Sequence, residues 1–220
     1  MSVAFDPSLA AKIEKCGIIA VLIIDRVDDA VPLARALLAG GVNVMELTLR
    51  TPAAIDALKA ITAEVPEMVA GVGTVLTPEQ AKLAKESGAA FAVAPGFNPR
   101  VLAAAREQGI SFAPGVLTPT DIELAVEGGC KLLKLFPAEP SGGLKYLKAV
   151  AAPYAHLGLK YIPLGGLNSA NMGSYIADPL VAALGGSWLA PKDLIKAGKW
   201  DEITRLAKES TGIIASTPRS

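Results

Sequence analysis

Lys134 is the residue that most directly indicates chemistry, because alternation within its predicted strand turns it inward. The segment Lys131–Phe136 reads Lys-Leu-Leu-Lys-Leu-Phe, and successive side chains of a strand point to opposite faces. Two of its leucines then pack beneath helices, whereas Leu132, Lys134 and Phe136 face the interior. An ammonium group without water costs several kcal/mol, so an interior lysine either pairs with an acid or gives up its proton and becomes a nucleophilic amine.

Glu46 is the acid that such a lysine needs. The segment Val42–Leu49 is predicted as a strand, and the same alternation places Glu46 and Arg50 on one face. Arg50 lies nearer the carboxyl end, about 13 Å further along at about 3.3 Å per residue. An interior amine and carboxylate, with an arginine at the rim, predict Schiff-base chemistry on a 2-keto acid. A structural buried Lys–Glu ion pair is the alternative.

Glycine pairs follow the last two of eight predicted strands. Gly165-Gly166 comes after Lys160–Leu164, and Gly185-Gly186-Ser187 comes after Leu180–Leu184. In phosphate-binding barrels the loops after these two strands expose backbone N–H groups to an anion. Paired glycines are common in loops, so it is their position at both junctions that favours a phosphate site.

Other reactive side chains are few. His156 is the only histidine, and Cys16 and Cys130 stand far apart, outside any metal-binding spacing. A zinc site built on histidines and a Ser-His-Asp triad therefore lack the necessary residues. We expect no metal and no other cofactor, and we interpret both cysteines as buried thiols.

Eight short apolar segments, separated by predicted helices, hold these side chains. They are Ile18–Ile24, Val42–Leu49, Met68–Gly73, Ala90–Ala94, Ser111–Ala113, Lys131–Phe136, Lys160–Leu164 and Leu180–Leu184. A capping residue followed by proline marks four helix starts, at Thr51-Pro52, Thr77-Pro78, Asn98-Pro99 and Thr118-Pro119. Such alternation implies parallel βαβ units.

The whole chain, residues 1–220, is predicted as one α/β domain, a single (β/α)8 TIM barrel with a short N-terminal helix over 7–16 and a loose tail over 210–220. An open doubly wound sheet is the competing topology. It ordinarily carries a glycine-rich nucleotide turn after the first strand, and none follows Ile24 here.

Composition narrows the class of partner. Hydrophobic residues make up 51% of the chain, and 21 Lys+Arg balance 21 Asp+Glu, which excludes the signature of disorder and argues against nucleic acid. The longest apolar run, Ile18–Ile24, is far shorter than the roughly 20 residues that cross a bilayer, and no secretory apolar region follows the start. We therefore predict a cytoplasmic protein with a small-molecule substrate and no membrane partner.

Several runs of this sequence resemble the 2-keto-3-deoxy-6-phosphogluconate (KDPG) and 2-keto-4-hydroxyglutarate (KHG) aldolases. They are Glu46-Leu-Thr-Leu-Arg-Thr51, Gly71-Val-Gly-Thr-Val-Leu76, Ala94-Pro-Gly96, Pro114-Gly-Val116, Lys134-Leu-Phe-Pro-Ala-Glu139 and Gly185-Gly-Ser-Trp188. The resemblance extends from about Ile18 to Trp188. It implies a class I, metal-independent aldolase of carbohydrate metabolism, of the Entner–Doudoroff type, with a homotrimeric (β/α)8 barrel.

The resemblance also implies roles for individual residues. Lys134 matches the Schiff-base lysine and Glu46 the general acid/base. The pyruvate-binding positions correspond to Arg50, Thr74, Pro95 and Phe136, and the phosphate-binding positions to Gly165, Gly166, Gly186 and Ser187. The products would be pyruvate and an aldehyde, either glyceraldehyde 3-phosphate or glyoxylate.

Two departures from the family pattern bear on substrate choice. Leu164 stands where a threonine usually precedes the Gly-Gly pair, and Ala94 stands where a serine or threonine often precedes Pro-Gly. An unpaired substrate hydroxyl facing an apolar side chain loses about 1–3 kcal/mol. KDPG, 4-hydroxy-2-oxoglutarate and 2-keto-3-deoxy-6-phosphogalactonate all remain candidate substrates. A non-covalent phosphate-binding isomerase that uses Glu46, and a silent barrel that only binds ligand, remain alternative functions.

Overall fold

Parallel strands alternate with helices along the chain in the computed structural model, which describes residues 5–219. The strands are β1 (Ile18–Leu22), β2 (Val44–Thr48), β3 (Val69–Gly73), β4 (Phe91–Val93), β5 (Ser111–Ala113), β6 (Gly115–Val116), β7 (Leu132–Leu135), β8 (Lys160–Pro163) and β9 (Leu184–Gly186). The helices are α1 (Pro7–Cys16), α2 (Ala30–Ala39), α3 (Ala54–Glu64), α4 (Pro78–Glu86), α5 (Pro99–Glu107), α6 (Pro119–Glu127), α7 (Gly143–Ala151), α8 (Met172–Ile176), α9 (Lys192–Lys196) and α10 (Trp200–Ser216).

The strands form two parallel sheets. One has the order β5-β4-β3-β2-β1-β9 and the other the order β6-β7-β8. Together they form a parallel arrangement that is curled as a half-barrel. Glu46 lies in the first sheet, where it is paired with Val21 and Gly71. Lys134 lies in the second, where it is paired with Gly115 and Ile162. The predicted parallel α/β fold is confirmed, whereas closure into one eight-stranded barrel stays a prediction.

Alternating residues of each strand pack into two separate apolar clusters. Leu47 and Leu133 belong to the larger cluster, which includes the inner faces of the surrounding helices. Val44 and Leu132, which lie three positions and one position before them and so on the opposite face of each strand, belong to a smaller cluster between the strands, together with Ile13 of α1. Burial on both faces is typical of parallel strands, and it places Glu46 and Lys134 on the side of the smaller cluster.

Three of the four predicted helix starts are capped as expected. Thr77 and Thr118 form capping boxes with Gln80 and Asp121, and the Asn98 side chain accepts a hydrogen bond from the following helix. Thr51 differs, because its hydroxyl donates to the Ile24 carbonyl oxygen and α3 begins only at Ala54. Thr51 therefore links the loop after β2 to the loop after β1 instead of capping a helix.

The eighth predicted strand is displaced along the chain. It was expected at Leu180–Leu184 and is found at Leu184–Gly186. The residue pair that completes the strand is Gly-Gly, and glycine has low β propensity, so the apolar residues just before it gave the stronger signal. Val181 retains a single bridge to Tyr161.

The predicted loose tail over 210–220 was wrong for residues 210–216, which are the last turns of α10. Ser210 and Gly212 disfavour a helix by propensity, but tertiary contacts decide the conformation. The Trp188 indole N–H donates to Ser210 Oγ at 3.2 Å, and Thr211 Oγ1 donates to the Gly40 carbonyl oxygen at 3.0 Å. Among residues 5–219, no helix has both the length and the apolar character needed to cross a membrane.

Candidate active site

A cavity of about 230 Å³ opens at the carboxyl ends of the strands. Its lining comprises Val21, Ile23, Glu46, Thr48, Arg50, Thr74, Pro95, Lys134, Phe136, Leu164, Gly165, Gly185 and Ser187. Of the residues predicted for the site, all but Gly166 and Gly186 contribute to this lining. Ligand sites of parallel α/β folds lie at this end of the strands.

Lys134 and Glu46 meet inside this cavity. Lys134 Nζ lies 3.2 Å from Glu46 Oε1, and the two side chains are only 7% and 2% exposed. The contact joins the two sheets, because Lys134 is on β7 and Glu46 on β2. Lys134 Nζ also lies 5.8 Å from the centre of the Phe136 ring, within the range of a cation–π contact. The amine is therefore enclosed by an acid and an aromatic ring.

Gly73 leaves the space that the Glu46 carboxylate occupies. A Cβ atom added at Gly73 would lie 2.6 Å from Glu46 Oε1. Thr48, two residues after Glu46, donates its hydroxyl to the Leu22 carbonyl oxygen at 3.0 Å and fixes β2 against β1. Gly73 thus leaves room for the carboxylate, and the Thr48 hydrogen bond fixes the strand that carries it.

Arg50 lies past the end of its strand, not on the strand face as predicted. β2 ends at Thr48, and the Arg50 amide donates to the Thr48 carbonyl oxygen at 2.7 Å in the turn that follows. The side chain is exposed at the cavity rim and takes part in no ion pair with another residue of the described 5–219 range. Its guanidinium is free to bind a carboxylate bidentately.

Thr74 has a left-handed backbone with φ of 62°, and no other non-glycine residue of the described chain has positive φ. This conformation costs about 1–3 kcal/mol for a residue with a Cβ atom. Thr74 lies in the cavity wall directly after Gly73. Backbone strain of this kind is typical of functional sites, where the surrounding structure maintains it.

The glycine loops contribute unequally to the cavity. Gly165 and Ser187 line it, whereas Gly166 is exposed beside it and Gly186 is buried beneath the Trp188 ring. Gly165 and Gly166 have φ of 96° and 83°, which requires glycine at both positions. The assignment of all four residues to phosphate stays a prediction.

Sequence reasoning missed part of the cavity wall. The missed residues are Thr48 of β2, Val21 of β1 and Ile23 just after β1, whereas Leu164, which follows β8, and Gly185 of β9 had been placed near the substrate from the sequence. A Cβ atom at Gly185 would overlap the end of the Leu164 side chain, so the leucine occupies the space that this glycine leaves. Alternation within Ile18–Ile24 could have found Val21, but the Leu164–Gly185 contact has no signal in the sequence.

Neither cysteine belongs to a metal ligand set among residues 5–219, and Cys130 is poorly suited to form a thiolate. Both are free thiols, with Cys130 buried and Cys16 half-buried, and burial raises the pKa of Cys130 to about 11. Within the described residues, no group of three or more His, Cys, Asp or Glu side chains is arranged to hold a metal ion.

The chain matches a family model described as "Aldolase: KDPG and KHG aldolase" over residues 9–206. A KHG/KDPG aldolase of Escherichia coli K12 is 45% identical over 193 residues, which is 88% of this chain and 90% of the relative. A 2-dehydro-3-deoxy-phosphogluconate aldolase of Treponema pallidum is 44% identical over 202 residues, or 92% of this chain and 95% of that one.

Two solved structures are similar at a TM-score of 0.86. One is a Legionella pneumophila KDPG aldolase with pyruvate captured at low pH as a covalent carbinolamine intermediate, 38% identical, covering 90% of this chain and 96% of its own. The other is the Zymomonas mobilis 2-keto-3-deoxy-6-phosphogluconate aldolase with 3-phosphoglycerate, 37% identical, covering 98% and 97%.

Proposed function

The chain belongs to the KDPG and KHG aldolase family, and on that premise we propose that it cleaves KDPG to pyruvate and glyceraldehyde 3-phosphate, and 4-hydroxy-2-oxoglutarate to pyruvate and glyoxylate. The enzyme is a metal-independent class I aldolase, a carbon–carbon lyase. The observation that carries the proposal is the buried Lys134 Nζ, 3.2 Å from Glu46 Oε1 in a cavity rimmed by an arginine.

Binding places the 2-keto acid over the amine. Arg50 holds the substrate carboxylate with paired hydrogen bonds, and Thr74 and Pro95 form the adjoining wall of the pyruvate subsite. The Phe136 ring, whose centre is 5.8 Å from the amine, forms another part of the wall. This arrangement sets C2 of the substrate against Lys134 and excludes water from the reacting atoms.

Imine formation begins with a proton transfer within the ion pair. Lys134 passes a proton to Glu46 across the 3.2 Å contact and attacks the C2 carbonyl as a neutral amine. The product is a carbinolamine, from which Glu46 returns a proton to the departing hydroxyl as water leaves. The resulting protonated imine carries the positive charge that draws electrons from the C3–C4 bond.

Cleavage uses Glu46 as a base. Its carboxylate removes the proton of the C4 hydroxyl, the C3–C4 bond breaks, and the bonding pair moves into the imine to give an enamine while the aldehyde departs. Glu46 then returns that proton to C3, and water hydrolyses the imine to release pyruvate and the free Lys134 amine. One carboxylate thus accepts and donates protons in turn.

The phosphate of the longer substrate is assigned to the loops after β8 and β9. In this proposal Gly165 and Ser187 in the cavity wall, with Gly166 and Gly186 next to them in the chain, supply backbone N–H groups and one hydroxyl. The relative from Zymomonas mobilis, solved with 3-phosphoglycerate, supports a phosphorylated ligand in this family.

The same proposal includes the closed barrel, the homotrimer and the cytoplasmic location. Pro114 alone separates β5 from β6, and parallel bridges at Tyr161–Val181 and Leu164–Gly185 extend from β8 towards β9. These features support closure of both sheets into one eight-stranded barrel. Family resemblance supports the homotrimer, and a metabolite substrate supports the cytoplasm.

Borohydride reduction in the presence of pyruvate tests the function. We expect reduction to trap one pyruvate on the enzyme, located at Lys134 by peptide mass spectrometry, because only an imine is reduced to a stable amine. Borohydride without pyruvate is the control. A protein that gains no adduct would count against the imine mechanism; if it also released no pyruvate from either substrate, the non-covalent isomerase would be favoured instead.

Substitution of Leu164 by threonine should shift substrate preference towards the sugar acid. The new hydroxyl can pair with a substrate hydroxyl that now faces an apolar wall, a gain of about 1–3 kcal/mol, or about 5- to 150-fold in kcat/KM for KDPG relative to 4-hydroxy-2-oxoglutarate. Leu164→Val is the matched control, since valine has the shape of threonine without its hydroxyl. The same shift in both variants would contradict a hydrogen-bond origin.

A further inference from the structure

Glu139 does not line the cavity, but it contacts the Gly165-Gly166 loop, and Gly165 is part of the cavity wall. Its amide donates to the Gly165 carbonyl oxygen at 3.0 Å, and the preceding Ala138 amide donates to the Leu164 carbonyl oxygen at 2.7 Å. A Cβ atom added at Gly166 would lie 2.6 Å from Glu139 Cβ. The backbone and methylene groups of Glu139 therefore fix the course of the Gly165-Gly166 loop.

Tyr175 holds the Glu139 side chain in place. Its hydroxyl donates a short hydrogen bond to Glu139 Oε1, and Tyr175 itself is 2% exposed on α8. Burial, reinforced by the hydrogen bond to Glu139, raises the pKa of Tyr175 well above its usual range. The phenol therefore stays protonated and remains a donor to the carboxylate at neutral pH.

The first residue of α7, Gly143, leaves space for the Glu139–Tyr175 hydrogen bond. A Cβ atom at Gly143 would lie 2.8 Å from Glu139 Oε1 and 2.9 Å from the Tyr175 hydroxyl oxygen, so glycine is required there. The carboxylate consequently lies beside the first turn of a nine-residue helix, whose N-terminal end favours negative charge. No ion pair joins Glu139 to a cation within residues 5–219.

We propose that Glu139, held by Tyr175, is a positioning residue that fixes the Gly165-Gly166 loop and thereby sets the affinity for the phosphorylated end of the substrate. The inference rests on the proposed aldolase function and on the phosphate subsite within it. Two effects follow from the contacts: the loop keeps a fixed shape before the anion arrives, and the carboxylate stays turned towards α8, where it repels that anion less.

The test compares two substrates that differ in the phosphate. In Tyr175→Phe, which removes one oxygen atom, we expect KM for KDPG to rise about tenfold, equivalent to about 1.4 kcal/mol, while kcat changes less than about twofold. Both parameters for 4-hydroxy-2-oxoglutarate, which has no phosphate, should stay near those of the unaltered enzyme. Inorganic phosphate should also inhibit cleavage of the short substrate more weakly in the variant.

Two further variants separate positioning from general stability. Glu139→Ala should reproduce the KM change, because it keeps the backbone bond to Gly165 but loses the Tyr175 hydrogen bond that anchors this residue, and Glu139→Gln should keep KM near that of the unaltered enzyme, because glutamine still accepts that bond. Tyr154→Phe is the matched control, since Tyr154 donates to Glu123 at 3.0 Å on the exposed surface, away from the cavity. It should leave KM for both substrates unchanged.

Each outcome decides the inference. An equal loss with both substrates, or no change in KM and phosphate inhibition, overturns the positioning role even if Glu139→Ala does not fold, because Tyr175→Phe carries the comparison alone. An unaltered enzyme that forms no borohydride-trapped adduct with pyruvate defeats the aldolase function instead. The two failures are therefore distinguishable.

Discussion

Replacement of Lys134 by methionine should reduce cleavage of both substrates by about 10⁴-fold or more, because the nucleophile of the covalent route is lost. Methionine has a similar length and fits a buried site, but it has no amine to form an imine. Borohydride with pyruvate should then add no mass to the protein. The measurements are initial rates of pyruvate release and intact-protein mass.

Loss of fold must be separated from loss of chemistry in this experiment. Breaking a buried ion pair costs about 3–5 kcal/mol of the free energy of unfolding, because one partner is left uncompensated. The double variant Lys134→Met with Glu46→Gln is the control, since it leaves no unpaired charge in the cavity. Substantial turnover by a folded Lys134→Met enzyme would refute the imine mechanism.

Glu46→Gln should lower kcat by about 10²- to 10⁴-fold, the usual range for a general acid/base, with a much smaller change in KM. Glutamine retains the size and one hydrogen-bond acceptor of the glutamate, but it cannot carry protons between the steps. Steady-state rates with both substrates measure the effect. A KM increase with unchanged kcat would mean that Glu46 binds substrate and moves no proton.

Gly73→Ala should displace the Glu46 carboxylate while leaving that group chemically unchanged. The added methyl group would lie 2.6 Å from Glu46 Oε1, so the carboxylate must move, and a displacement of about 1 Å can cost about 10²-fold in rate. Gly212→Ala is the control, because a Cβ atom there meets no atom within 4 Å. Full activity in Gly73→Ala would show that the position of Glu46 is less constrained than its contacts indicate.

The inward placement of Lys134 and Glu46 could be predicted because parallel strands have a fixed period of two. The same rule assigns Leu133 to the helix side and Leu132 to the interior, as found. The 3.2 Å contact itself could not be predicted, since its partners are 88 residues apart and lie on different sheets. Alternation gives the direction of a side chain but not the distance between two strands.

Features that depend on tertiary packing were the ones that sequence reasoning missed. Thr51 has the pattern of a helix cap, yet its hydroxyl contacts the Ile24 carbonyl oxygen instead. The end of α10 contains poor helix formers and is ordered by its contacts with Trp188 and Gly40. The left-handed backbone of Thr74 has no local signal at all, because threonine disfavours it.

Because turnover needs both Lys134 and Glu46, enzyme activity also reports whether the two sheets have assembled. A chain divided between β5 and β6 would leave Glu46, Arg50 and Thr74 on one fragment and Lys134 on the other, so neither piece alone holds both members of the proton-transfer pair. Catalysis would return only when the fragments reassociate in the correct register. In an intact molecule, likewise, turnover requires both sheets to be formed, because each of them supplies one member of the pair.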